Sequence, residues 1–162
     1  MKILVLSDSH ASLSFMRQCI EYTQPDAMIH LGDFYRDGQD MAEEYPNIPM
    51  YQVPGNCDMH RGYIPDEEIR LLDLRGLRLY ITHGHRHGVK MSLFRLLQDA
   101  RAANVQAVLF GHTHSALCCQ EDGLWVLNPG PCTWGGSAGI IESQNGKIVS
   151  CRLIRPEEVK DF

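Results

Sequence analysis

Lys2-Ile3-Leu4-Val5-Leu6-Ser7-Asp8-Ser9-His10 opens the chain, and its reading decides the fold. Residues 3–6 are large and apolar without polar alternation, the pattern of a short strand buried on both faces. The run then ends on two residues able to bind a metal, Asp8 and His10. Four further apolar runs repeat this grammar. Met28-Ile29-His30-Leu31 leads to Asp33, Tyr51-Gln52-Val53 to Asn56, Leu79-Tyr80-Ile81 to His83, and Val105 through Phe110 to His112 and His114. In open α/β sheets, ligands collect at the carboxyl ends of strands, because loops there converge on one rim. Two carboxylates, an amide and four imidazoles at such ends describe one polar pocket suited to metal-assisted chemistry.

Working outward, strand 2–7 precedes a helix from Ser12, a candidate N-cap, to about Tyr22, with Met16, Cys19 and Ile20 on one face. Strand 27–31, a short polar helix from Asp37 to Glu44, and strand 50–53 complete a βαβαβ front. Pro54-Gly55-Asn56 reads as a turn. Residues 68–74 and 77–82 read as a hairpin around Arg75-Gly76, followed by a helix from about Met91 to Ala103 and strand 105–110. Strands at 115–120, 124–128, 137–142 and 147–154, with turns at Glu121-Asp122-Gly123 and Asn145-Gly146, make the back mostly antiparallel. Two sheets packed face to face with helices outside satisfy both halves. Pro156 to Phe162 reads as a short charged tail.

The 162 residues fit one domain, 1–162, without a linker, low-complexity tract or internal repeat. The apolar stretch after Lys2 is too short for a signal peptide and runs into Asp8; no stretch approaches a membrane span. With no sign of export, a cytoplasmic protein with six free thiols is expected, and the lack of a Cys-x-x-Cys pair argues against a zinc ribbon or redox motif. The net charge of −5 and the scattered 15 Lys and Arg argue against a nucleic-acid partner. The apolar, Gly-rich segment from Cys132 to Ile141 is a candidate homo-oligomer interface.

Asp8-Ser9-His10 and His112-Thr113-His114 place paired ligands two residues apart, which in extended backbone share one face. Seven ligands exceed the four of a tetrahedral zinc site and suit two ions about 3.5–4 Å apart. Asp8-x-His10, Gly32-Asp33, Gly55-Asn56, His83 and Gly111-His112-x-His114, in this order, resemble the calcineurin-like metallophosphoesterases, in particular their short prokaryotic phosphodiesterases. The resemblance spans residues 3 to about 130. It implies a four-layer αββα sandwich of two mixed sheets flanked by helices. It also implies Asp8, His10, Asp33 and His114 at one divalent ion and Asp33, Asn56, His83 and His112 at the other. Mn²⁺ is the expected metal, with Fe, Zn or Ni as alternatives. The implied reaction is phosphodiester hydrolysis of a small substrate by a hydroxide bridging the two ions.

The chain departs from that family in two places. Cys57, followed by Asp58, stands where many members have a histidine. These two are the candidate catalytic residues, with Asn56 and His85 the candidate substrate contacts. Asn128-Pro129-Gly130-Pro131 ends without the serine common in relatives. His87 is open between a solvated loop and a substrate contact; Arg36, Arg61 or Arg86 can clamp a phosphate, and Trp134 can stack on a leaving group. His30 and His60 read as structural or surface residues. Two other functions stay open: a non-catalytic protein-binding scaffold, as in the similar retromer subunit, and a nuclease.

Overall fold

The computed structural model describes residues 1–59, 67–133 and 135–162. His60, Arg61 and Trp134 lie outside them. Strand β1 (Lys2–Leu6) pairs in parallel with β2 (Ala27–His30), and β2 with β3 (Met50–Gln52). Helices α1 (Leu13–Thr23) and α2 (Tyr35–Glu44) make the connections. Ser12 stands at the N-cap of α1, but its side chain makes no capping bond. Directly after β3 comes a one-turn helix, α3 (Asn56–Met59), where only a turn was expected.

β4 (Ile69–Leu74) and β5 (Leu77–Thr82) form the expected hairpin. A 3₁₀ turn at His85–His87 and helix α4 (Phe94–Ala102) lead to β6 (Ala107–Leu109). Two more hairpins follow, β7 (Leu117–Glu121) with β8 (Leu124–Asn128) and β9 (Ala138–Gln144) with β10 (Lys147–Ile154). The expected tail instead begins a short helix, α5 (Pro156–Val159). Pro156 lacks an N–H that the first turn would leave unpaired anyway, and Glu158 accepts the Arg155 N–H at 2.9 Å. Val159 is buried among residues of α1, which anchors the segment.

Among the described residues the strands form two five-stranded sheets, ordered β10-β9-β1-β2-β3 and β4-β5-β6-β8-β7. Both are mixed. The back half is mostly antiparallel, as expected; β6 is its exception, running parallel to β5 and to β8. The chain leaving β6 goes first to the sheet edge as β7 and returns beside β6 as β8.

Alternation along β1 shows why its run is unbroken. Ile3 and Val5 join Leu79, Ile81 and Leu109 in the core between the sheets, whereas Leu4 and Leu6 pack with Phe15, Met16, Cys19 and Met41 of the helices. Tyr80, Val108 and Phe110 do the same beneath Leu96, Leu97 and Ala100 of α4. The layers are therefore helix, sheet, sheet, helix. Cys132, Ala138, Ile140 and Ile141, within the segment named as a candidate interface, are buried in this core. All six cysteines are free. No helix among the described residues is long and apolar enough to cross a membrane.

Candidate metal centre

The seven candidate ligands follow β1, β2 and β3 of one sheet and β5 and β6 of the other. Main-chain bonds lace these ends together. Asp8 N–H donates to Gly32 O at 2.9 Å, Gly111 N–H to His83 O at 3.1 Å, and Cys132 N–H to Ser7 O at 2.8 Å. His83 crosses between the sheets, its Nδ1 lying 2.7 Å from Leu31 O. A carbonyl oxygen can only accept, so Nδ1 carries a proton, and in the neutral ring the lone pair is on Nε2.

One group gathers Asp8, His10, Asp33 and His114, with a ligand atom of each within 4.8 Å of all the others. Asp8 and Asp33 are buried, and His10 Nε2 is a buried nitrogen without a hydrogen-bond partner among the described residues. The second group centres on His83 Nε2, which lies 3.2 Å from Asn56 Oδ1 and 3.5 Å from Asp33 Oδ2. The His112 ring is 5.0 Å from that of His83. Asp33 thus stands in both groups.

The expected route to this convergence was extended backbone, and the structure corrects it. Asp8, His10, Asp33, His112 and His114 all take left-handed φ values, between +45° and +66°. Such values are uncommon outside glycine, although Asp and His adopt them more readily than bulky residues. The kinks also divide one pair that was expected to share a face: His114 joins Asp8, while His112 joins His83.

Several side chains hold these kinks. Asp58, a candidate catalytic residue, is 3% exposed. Its carboxylate accepts the N–H groups of Asp33, Phe34, Tyr35 and Gly55 at 2.7–3.1 Å. Both oxygens are engaged with backbone, an arrangement for holding the Asp33 loop against α3. Asn128, read from sequence as a strand end, donates to Gly111 O and Thr113 Oγ1 at 3.0 and 2.9 Å and so holds the His112–His114 loop. Ser7 donates to Asp8 Oδ2 at 2.6 Å. A Cβ on Gly55 would meet the Asp33 carboxylate, and one on Gly111 would meet Ser7 and Asp8 side chains. These two glycines make room for the acids.

Charge follows the geometry. Burial pushes the Asp33 carboxyl upward, but His83 and the Cys57 N–H outweigh it and hold its pKa well below the usual range. Burial likewise pulls His83 down, and the carboxylates of Asp33 and Asp8 overcome it, leaving a net rise. His112 is lowered to about 4 by burial and by the charges of His83 and Lys90. Cys57, whose N–H donates to Asp33 Oδ1 at 2.9 Å, has its thiol raised to about 11, first by burial and then by Asp33.

The remaining candidates separate clearly. His85 lies 5.5 Å from His83 and 6.1 Å from His112, ring to ring, and neither of its nitrogens has a partner among the described residues. His87 is neither solvated nor turned to the rim: it is buried, with Nε2 3.1 Å from Tyr80 Oη and 3.4 Å from Asp99. Arg36 pairs with Asp40 and Arg86 with Glu68, both at the surface. The donors fit divalent cations: two carboxylates, an amide oxygen and imidazoles, one with an orphaned buried nitrogen.

Comparisons with known proteins point the same way. Residues 1–144 match the model of the calcineurin-like phosphoesterase superfamily domain. A probable metallophosphoesterase of Bacillus subtilis is 32% identical over 133 residues, covering 80% of this chain and 74% of its own. A phosphodiesterase of Methanocaldococcus jannaschii is 29% identical over 163 residues, covering 89% and 94%. Among solved structures, a predicted phosphoesterase of Streptococcus pneumoniae aligns with a TM-score of 0.77 at 21% identity, covering 96% and 90%. Vps29 of Entamoeba histolytica, complexed with zinc, gives 0.74 at 18% identity, covering 96% and 98%. These two likenesses concern the fold.

Proposed function

The chain belongs to the calcineurin-like phosphoesterase superfamily, and on that premise we propose that it hydrolyses phosphodiesters at a centre of two divalent cations, with Mn²⁺ the preferred metal. Asp8, His10, Asp33 and His114 would hold one cation, and Asp33, Asn56, His83 and His112 the other. Bound there, the pair supplies a positive field for a phosphate anion and lowers the pKa of water towards ~7. The observation that carries this reading is the four-residue cluster around the orphaned His10 Nε2.

The chain's own residues then divide the work. Asp33, deprotonated across the neutral range and shared by both groups, ties the two halves into one centre. His83 is held by Leu31 in the tautomer that turns a lone pair inward. His85 offers unpartnered ring nitrogens to a substrate oxygen. Cys57 stays protonated at neutral pH and is a weak acid, so substrates with good leaving groups are favoured. Asp58 acts through the backbone it holds and has no oxygen left for proton transfer.

The M. jannaschii relative, named a phosphodiesterase, supports the diester preference. Purified chain should turn over bis(p-nitrophenyl) phosphate when Mn²⁺ is supplied, faster than p-nitrophenyl phosphate. No turnover with any divalent metal would favour a binding-surface role, for which the fold likeness to Vps29 is the reason. Strong, salt-sensitive DNA binding would favour a nuclease.

A further inference from the structure

Behind the rim, Ser9, His30 and Asp37 form a chain of side chains, each no more than 5% exposed. Gly32 N–H donates to His30 Nδ1 at 3.3 Å. A ring nitrogen that accepts a backbone N–H carries no proton, so the ring proton of neutral His30 sits on Nε2. Nε2 lies 3.0 Å from Ser9 Oγ, and Ser9 Oγ lies 2.6 Å from Asp37 Oδ2. The polarity is therefore set along the whole chain: His30 donates to Ser9, and Ser9 donates to Asp37. Asp37 Oδ2 also accepts the Ala11 N–H at 2.8 Å.

The location of this chain gives it a use. Ser9 sits between the candidate ligands Asp8 and His10, His30 ends β2 just before Gly32-Asp33, and Asp37 lies in the first turn of α2. Three of the four residues from Asp8 to Ala11 hold left-handed φ values of +45° to +67°. Such backbone persists only where surrounding contacts over-determine it, at a cost of about 1–3 kcal/mol per residue. Ser9 and Asp37 grip this loop at its side chain and at the Ala11 N–H, while His30 ties it to the loop carrying Asp33.

We infer that Ser9, His30 and Asp37 are positioning residues that hold the Asp8–His10 loop in the geometry for binding one of the two cations. This rests on reading the rim as a metal centre. Groups behind a ligand shell typically tune metal affinity by ~10–100-fold. A merely structural network would lower the melting temperature and leave the two affinities alike.

The test is calorimetric titration of Mn²⁺ into EDTA-stripped wild type, Ser9→Ala and Asp37→Asn, with melting temperatures measured alongside. Ser9→Ala should lose ~10–100-fold in affinity for one ion and much less for the other. Asp37→Asn, which keeps an acceptor oxygen, should lose less than Ser9→Ala. Equal binding by wild type and Ser9→Ala overturns this inference alone. A wild type that takes up no Mn²⁺ overturns the metal-centre reading, and this inference with it. Should Ser9→Ala fail to fold, ¹⁵N-histidine NMR of the metal-free wild type decides. A His30 ring protonated only at Nε2 supports the chain, and one protonated at Nδ1 overturns it.

Discussion

Left-handed backbone occurs at both ends of this molecule, and the two ends handle it differently. At the hairpin tips the positive-φ positions are Arg75-Gly76, Asp122-Gly123 and Asn145-Gly146. Each tip pairs one strained residue with a glycine, and only short turns depend on it. At the rim the positive-φ residues other than glycine are Asp8, His10, Ala11, Asp33, Phe34, His112 and His114. Around them, buried Asp58, Asn128 and Ser7 supply hydrogen bonds to the loops. The tips confine the strain to two-residue turns ending in glycine, whereas the rim carries it on the ligand residues and braces it with buried side chains. Strain kept where a relaxed residue would fold more easily marks the place where side-chain direction matters.

Asp33 is the residue whose loss should break this contrast most severely, because it stands in both ligand groups. Asp33→Asn should reduce Mn²⁺-dependent hydrolysis by more than the ~10–100-fold typical of a change behind the ligands, and by far more than Cys57→Ala. Steady-state rates on bis(p-nitrophenyl) phosphate would show it; equal losses would remove Asp33 from its bridging place. Asp58→Ala comes next. It strands several backbone N–H groups, each costing about 1–3 kcal/mol if left unsatisfied. Both the melting temperature and Mn²⁺ affinity should fall, and a variant with unchanged affinity would show that the brace is dispensable.

The third expectation concerns acid. Burial, then the charge of His83, lowers the pKa of His30 to about 3. An unfolded histidine titrates near ~6.5, so between these values the unfolded chain binds more protons. The stability His30 contributes is complete above ~6.5 and declines as pH falls towards about 3. His83, raised instead, acts in the opposite sense, so the informative quantity is a difference. The melting-temperature gap between metal-free wild type and His30→Gln should narrow from pH 7.5 to pH 5. A constant gap would mean that the His30 ring is not held neutral. The smallest effect belongs to the tips: Asn145→Ala should cost about 1–2 kcal/mol in denaturant unfolding and leave hydrolysis unchanged. Altered hydrolysis there would erase the distinction between the two ends.

Much of the scaffold is legible in residue patterns. Unbroken apolar runs identify β1 and β6 as strands covered on both faces, and Asn145-Gly146 identifies the last hairpin. Strand order is less visible, because β6 meeting β8 in parallel depends on which strand takes the edge. α3 hides behind the turn signal of Pro54-Gly55 and spans only four residues. At the rim, residue types and spacing point to the ligands, yet nothing local marks Asp8 or His112 as left-handed. Asp58 reads as a catalytic candidate because it follows Cys57 in the Gly55-Asn56 motif, and only folding reveals the backbone N–H groups around it. Asn128 had a usable signal, a polar side chain ending an apolar strand, as did His30 within β2.

The most direct test of a two-cation rim is a count of bound metal. Native mass spectrometry of EDTA-stripped chain titrated with Mn²⁺ should show two ions per chain for wild type and weakened uptake of both for Asp33→Asn. Saturation at one ion, or undiminished uptake by Asp33→Asn, would contradict the account.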